Sequence, residues 1–196
     1  MATAYRRFVR HAMTNDEAVE QGHVDQLAQS LLAHLNAREQ AITSIHVHGA
    51  TSLAVQSIVS ELLREELGFR EEVVLTPQLG LVTRARPDFV YRLADGRGIL
   101  AEVERGGTTT NNHDLKDFWK AHVAPDAHHL FLVVPNANWS EAGASREKPF
   151  PLVARRLGAF FGDQRREVDV LSAHVFGYGP TGSPGLPDTA DEGAML

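Results

Sequence analysis

The sequence predicts an α/β fold, a mixed central β-sheet flanked by helices, and three observations carry that expectation. Apolar residues recur at helical spacing in two early segments, Val24 to Leu35 and Val55 to Leu63. Three strand-like runs then follow between residues 71 and 104, the last two separated by a short turn sequence. Finally "HHLFLVVP" is continuously apolar, the pattern of a strand buried on both faces, and it lies between two further helical segments.

The elements can be justified in chain order. Asn15 to about Ile42 reads as one amphipathic helix, with Val24, Leu27, Leu31, Leu32 and Leu35 as its apolar stripe. A short "SIHVHG" segment follows. Thr51 and Ser52 offer an N-cap to "LAVQSIVSELLREELGF", whose stripe is Val55, Ile58, Val59, Leu62 and Leu63 and whose stop is Gly68. "EEVVLT", "PDFVYRL" and "GILAEVE" read as a β-meander, and "NNHDLKDFWKAHV" as a helix, with Leu115, Phe118, Trp119 and His122 at i, i+3, i+4 and i+7. Pro149 to Phe161 reads as another helix with proline in its first turn, and "VDVLSAHVFGY" as a last strand. The chain thus divides into one domain, residues 1–176, and a Gly- and Pro-rich acidic tail, residues 177–196, that reads as disordered.

Composition narrows the chemistry. The chain has 196 residues, 43% of them apolar, enough for one domain with a sizeable core. It has no cysteine, which excludes disulfides, thiolate zinc sites and cysteine nucleophiles; a metal would need carboxylate, carbonyl or imidazole ligands. A net charge of -6 argues against nucleic-acid binding by bulk charge, though not by a local patch. No apolar run approaches the roughly 18–20 residues of a membrane span, and the N-terminus lacks a signal-peptide core, so the expected location is cytoplasmic, with no membrane partner.

The segment "RPDFVYRLADGRGILAEVERGG" poses the main question, because its carboxylates lie at the ends of two apolar runs. Side chains alternate along a strand, so Phe89, Tyr91 and Leu93 must share the core face with Ile99, Ala101 and Val103. Opposed residues then have numbers with an even sum, which requires an odd loop of three or five residues rather than a two-residue Asp-Gly turn. The pairing expected is Leu93 with Ile99, Tyr91 with Ala101 and Asp88 with Glu104, gathering Asp88, Glu102 and Glu104 on one side. Three like charges there call for a cation or protons, and an all-oxygen set suits Mg²⁺. The same acids would also suit an ordinary solvated sheet face.

Pro87-Asp88, thirteen residues, then Glu102-Val103-Glu104 resembles the PD-(D/E)XK nuclease motif. The order helix, three strands, helix, strand from about Ser52 to Val134 resembles that superfamily's restriction-endonuclease-like αβββαβ core. The usual lysine two residues after the middle acid is replaced by Glu104. In this "LAEVERGG", followed by "HDLKDFW", is similar to type II restriction endonucleases with an acid-x-acid motif, the BamHI-like branch. The resemblance implies a Mg²⁺- (or Mn²⁺-) dependent DNA endonuclease, plausible in restriction or phage defence, acting as a homodimer or within a larger defence complex. It implies Asp88, Glu102 and the Val103 carbonyl as metal ligands, and Glu104 as a ligand or as the base for water. Alternatively the lysine has moved to the next helix, where Lys116 and Lys120 share a face. An acid on the preceding helix often completes such sites, and Glu61 and Glu65 are the candidates. The rival class is a nuclease-like fold kept for DNA binding or assembly, without cleavage.

Around the acids, Arg84, Arg86 and Arg105 could hold phosphates, and the loop "GGTTTNN", with Thr108, Asn111 and Asn112, could touch a DNA backbone or cap the next helix. The arginine pairs 155–156 and 165–166 offer a further basic surface. His46-x-His48 and His128-His129 have no third ligand at a recognisable spacing, and structural roles are expected for them. Trp119 and the stripe of residues 55–63 are expected in the core.

Overall fold

The computed structural model describes residues 3–71, 73–75, 86–140, 145–162 and 168–181. Strand β1 (Ala4–Val9) is followed by helices α1 (Asn15–Ala37), α2 (Glu39–Ile45) and α3 (Ser52–Leu63). The meander β2 (Arg70–Glu71), β3 (Phe89–Arg92) and β4 (Gly98–Val103) leads into α4 (His113–Val123) and β5 (His129–Pro135). A small hairpin, β6 (Asn138–Trp139) and β7 (Ser145–Glu147), precedes α5 (Pro149–Phe161) and β8 (Ser172–Tyr178). The main sheet has the order β1-β8-β5-β4-β3-β2, with β4, β5 and β8 parallel and the outer pairings antiparallel. This is the mixed, helix-flanked sheet the sequence predicts, and α3-β2-β3-β4-α4-β5 has the expected αβββαβ order.

Alternation along the strands divides the interior into two cores. Phe89, Ile99, Ala101, Val103, Phe131 and Phe176 pack under α1 to α3, while Val90, Leu100, Leu132 and Val175 pack under α4 and α5. Strand β5 is buried along its whole length on both faces, as its unbroken apolar sequence requires. Thr14 begins α1 through a capping box: its hydroxyl accepts from Glu17 N at 3.2 Å, and Glu17 Oε2 accepts from Thr14 N at 2.7 Å.

Several expectations need correction. The helix predicted to run to Ile42 breaks at Arg38, which pairs with Glu61 of α3 at 2.6 Å; α2 then brings Ile42 into the core. "SIHVHG" is the end of α2 and a loop, which carries His46 and His48. Thr51 occupies the N-cap of α3 without a side-chain capping bond. β1 and the β6–β7 hairpin had no counterpart in the sequence reading. Gly177 and Tyr178 belong to β8, which moves the end of the folded body beyond residue 176. Residues 182–196 of the expected tail, Arg84, and Arg165-Arg166 lie outside the described residues.

The β3–β4 hairpin has the predicted parity but a register displaced by two residues. Phe89 faces Ala101 and Tyr91 faces Ile99, so Asp88 stands level with Glu102 rather than with Glu104. The cause is a tighter loop than Leu93–Ile99 pairing would allow. Leu93 N donates to Arg97 O at 2.9 Å around a single turn of 3₁₀ helix, Ala94–Gly96, and Gly96 supplies the positive φ of 77° that closes it. Gly98 then opens β4 where a Cβ would lie 2.6 Å from Asp126 O, so only glycine fits there.

At the N-terminal ends of β5 and β8 a buried polar chain crosses from the sheet to α1. Tyr5 Oη and His174 Nδ1 are 2.8 Å apart, His174 Nε2 and Ser172 Oγ 3.1 Å, Ser172 Oγ and His129 Nδ1 2.8 Å, and His129 Nε2 and Glu20 Oε1 3.1 Å. One direction of donation satisfies every link with both imidazoles neutral: Tyr5 O–H to His174, His174 Nε2–H to Ser172, Ser172 O–H to His129, and His129 Nε2–H to Glu20. Burial, above all, holds His129 down to about 4 and His174 down to about 3. His129 thus takes the structural role expected of it.

This chain makes stability depend on pH. Both histidines titrate below their unfolded value of about 6.5, so the unfolded state binds more protons between that value and about 4. The contribution of these two histidines is complete above about pH 6.5 and is lost as pH falls toward 4, at up to about 1.4 kcal/mol per pH unit for each. Glu102, Glu104 and Asp117, whose carboxyls are raised in the folded state, act in the opposite sense over the same range, so the histidine share is read as the difference between two proteins: in urea denaturation from pH 7 to 4.5, wild type should lose more stability per pH unit than His174→Gln, which is the less stable of the two at pH 7. An unchanged slope in that variant would remove His174 from the account.

Candidate active site

The hairpin end, the N-terminus of the following loop and α4 converge on one buried acidic cluster. Asp88 immediately precedes β3, and its carboxylate Oδ2 accepts from Val103 N at 2.8 Å, while its own N donates to Glu102 Oε2 at 3.1 Å. These bonds follow from the register, because Asp88 and Glu102 are level across the hairpin. Glu102 is only 5% exposed, at a position in β4 surrounded by apolar neighbours on both sides. Its Oε1 accepts from Lys120 Nζ of α4 at 2.7 Å. The same ammonium donates to Asp117 Oδ1 at 2.8 Å, and Asp117 Oδ2 is buried without a partner.

Glu104 lies one step beyond β4. Its N donates to Val133 O at 2.9 Å, extending the parallel pairing with β5, and its carbonyl accepts from the Tyr178 hydroxyl at 2.9 Å. With the backbone fixed on two sides, its side chain reaches the first turn of α4, where Oε2 and His113 Nδ1 are 2.9 Å apart. The cluster therefore holds Asp88, Glu102, Glu104 and Asp117 with Lys120 and His113 as their partners.

The electrostatics follow from burial. Burial, reinforced by the charge of Asp117 and opposed by Lys120, raises the Glu102 carboxyl to about 8. Burial also raises Glu104, against the bond from His113, and raises Asp117, against Lys120. For Lys120 burial works against the charge, but Asp117 and Glu102 outweigh it and hold the proton more firmly than usual. Glu102 and Asp117 face a single ammonium, so the trio has one negative charge in excess, to be balanced by a proton or a cation.

The orientation of α4 departs from the sequence reading. Its buried residues are Asp114, Asp117, Phe118 and Ala121, and Trp119, expected in the core, is 51% exposed. The apolar count along this helix misplaced its inner face because two of the inward positions are buried aspartates with half-buried cationic partners. Asp117 holds Lys120, and Asp114 accepts from Arg156 of α5 at 2.9 and 3.1 Å.

Of the two candidate lysines, Lys120 enters the cluster, while Lys116, one turn earlier in α4, is exposed. Glu61 is engaged by Arg38 and Glu65 by Arg64, so neither makes a bond to Asp88, Glu102 or Glu104. Arg86 is exposed just before Asp88. The two terminal nitrogens of the Arg105 guanidinium donate to the α2–α3 connection, at Ala50 O and Val47 O, while its Nε has no partner among the described residues. Thr108 is fully buried and donates to Arg105 O, which corrects its expected place on a DNA-facing surface; Asn111 and Asn112 are exposed. Asn112 does take the N-cap of α4, in a left-handed conformation, but without a side-chain capping bond. Arg156 is likewise a structural partner of Asp114 rather than a basic surface group, whereas Arg155 is exposed. The sequence reading missed Asp117 and His113. The available signal was the Asp117-x-x-Lys120 spacing, which places an acid beside the lysine on one helical face.

The donor set is of the right chemistry for a hard cation: carboxylate oxygens, under-neutralised and desolvated, with Asp117 Oδ2 lacking a partner. Among the described residues, however, no three acid or imidazole side chains form a ready-made metal cage. The acids are bonded to Lys120, His113 and backbone amides.

Removing the ammonium should expose this charge imbalance. Lys120→Met leaves Glu102 and Asp117 buried without their cation, an arrangement that costs about 3–5 kcal/mol. Chemical denaturation should show the full deficit at pH 8 and a smaller one at pH 5, where protonation relieves the carboxylates. Adding Asp117→Asn should recover part of it, and a deficit that does not change with pH would contradict the charge argument.

No family model matches this chain and no curated protein matches it.

Proposed function

We propose that the protein is a metal-dependent DNA endonuclease of the PD-(D/E)XK type in which α4 supplies the lysine missing after Glu102. The observation that carries this reading is Lys120 Nζ at 2.7 Å from Glu102 Oε1, with Asp88 bonded across the hairpin to the same carboxylate. An acid pair at the open end of a hairpin with a lysine against it suits phosphodiester hydrolysis, which needs a held cation and a fixed positive charge near the phosphoryl oxygens. The αβββαβ order and its coverage of the motif support the same reading.

Asp88, Glu102 and the Val103 carbonyl would hold Mg²⁺ or Mn²⁺, which supplies, when bound, a Lewis acid for the phosphoryl group. Lys120 adds a fixed positive charge where the non-bridging oxygens become more negative, and its two carboxylate bonds prevent it from swinging away. Glu104 suits the role of base: His113 fixes one of its oxygens, leaving the other for a water proton, and burial shifts its titration toward the working range. Asp117 positions Lys120 and makes no demand on the substrate. Restriction or phage defence, with a second copy to cut the second strand, is the setting this reading favours.

A second reading, DNA binding or assembly without cleavage, draws on the bonds that already engage the acids and on the absence of a metal cage among the described residues. Purified protein with Mg²⁺ or Mn²⁺ should cut plasmid, linear or single-stranded DNA. Asp88→Asn, Glu102→Gln and Lys120→Ala should each lower the rate about 10²–10³-fold, while Lys116→Ala leaves it unchanged. If every DNA remains intact and wild type binds divalent metal no better than Glu102→Ala, the nuclease reading fails and the second one stands.

A further inference from the structure

Directly beyond Glu104 the chain borders a cavity of about 340 Å³, within the size range of small-molecule sites. Its walls come from three connections: the α2–α3 loop with His46, the loop after β4 with Arg105 and Gly106, and the β6–β7 hairpin with Trp139, Arg146 and Glu147. Alternation along the chain turns Arg105 away from the α4 side, where Glu104 meets His113, so the cavity adjoins the acid cluster without sharing its carboxylates.

The wall chemistry is specific. Among the described residues of the wall, two guanidinium groups, Arg105 and Arg146, outnumber the one carboxylate of Glu147. That carboxylate is committed to the wall, accepting from Thr109 Oγ1 at 2.8 Å and from Asn138 Nδ2 at 2.7 Å. Three wall residues carry buried polar atoms without a partner among the described residues: Arg105 Nε, Trp139 Nε1 and His46 Nδ1. The first two are N–H donors. His46 donates its Nε2–H to Ala137 O at 2.8 Å, so in the neutral ring Nδ1 is an acceptor; burial favours that neutral form. A cavity offering cationic donors, an indole, and an imidazole acceptor suits a ligand with an anionic end and a planar or hydroxylated polar end.

We infer that this cavity is a subsite for one nucleotide unit, with the phosphate toward Arg105 and Arg146 and the base or sugar toward His46 and Trp139. As a subsite for the nucleotide flanking the cut, it rests on the endonuclease reading; as a binding site it is tested separately from cleavage. The unit's phosphate would lie on the Arg105 side of the sheet edge while the scissile bond lies on the Glu104 side.

Trp139 lines the cavity and the only other tryptophan is the exposed Trp119, so a Trp119→Phe background makes Trp139 the sole indole reporter. Metal-free protein is titrated with a deoxynucleoside 5′-monophosphate, with inorganic phosphate and with an unphosphorylated deoxynucleoside. The expected result is a saturable Trp139 signal for the nucleotide, at least tenfold tighter than for either part alone. Arg146→Ala should weaken it at least tenfold. Gly106→Leu should do the same, because a Cβ at Gly106 meets nothing within 4 Å and a larger side chain can enter the cavity without displacing the backbone. Thermal melts and circular dichroism verify that both variants fold. No saturable signal, equal affinity for phosphate alone, or unchanged binding in both variants overturns the subsite. Glu102→Gln separates the two readings: nucleotide binding should persist when cleavage is lost. Cleavage without nucleotide binding would reject the subsite and leave the nuclease standing.

Discussion

The ammonium of Lys120, held between a strand carboxylate and a helix carboxylate, couples the two elements that make the site. Glu102 comes from β4 and Asp117 from α4, and both are almost fully buried, so neither charge is tolerable without the cation between them. The same demand accounts for how α4 lies on the sheet. Turning Trp119 inward would bury more apolar surface, but it would carry Lys120 away from the desolvated carboxylate of Glu102. Burying an unpaired charge costs more than exposing one indole, and Trp119 accordingly faces outward.

A second buried polar system occupies the opposite end of the sheet, and the two solve the same problem in different ways. Glu20, His129, Ser172, His174 and Tyr5 form a chain whose donors and acceptors match without any buried imidazolium. It ties β1, β5 and β8 to α1 and has nothing to gain from a ligand. The acid cluster at the C-terminal end of β4 has more negative charge than its partners cancel, which is the condition for binding a cation or a substrate. The two networks differ in charge balance: the first is matched internally, and the second leaves negative charge to be balanced by a proton or a cation.

The hairpin acids are legible in the sequence because alternation is a strict rule: a strand cannot turn Glu102 and Glu104 toward the side occupied by Ile99, Ala101 and Val103. Parity was legible for the same reason, and it correctly excluded a two-residue turn. The register itself was not. Moving it by two residues preserves every facing relationship, so the apolar pattern is indifferent between Asp88 opposite Glu104 and Asp88 opposite Glu102. The choice was made by Gly96 and Gly98, one through a positive φ and the other through a contact with Asp126 that admits no side chain.

What the sequence determined by itself was the periodic information: the elements with strong apolar repeats, the two faces of the sheet, and the side on which the acids gather. β1, with arginines inside a short strand, and the β6–β7 hairpin carry too little periodicity to declare themselves; pairing with β8, and of β6 with β7, defines them. The tertiary structure decided which charged groups meet. Lys120 rather than Lys116, Asp117 as its second partner, Arg156 on Asp114 and Arg105 on the α2–α3 loop all join residues from separate elements or depend on the rotation of a helix. Such pairs are selected by desolvation and distance in three dimensions, and those quantities do not exist along a linear chain.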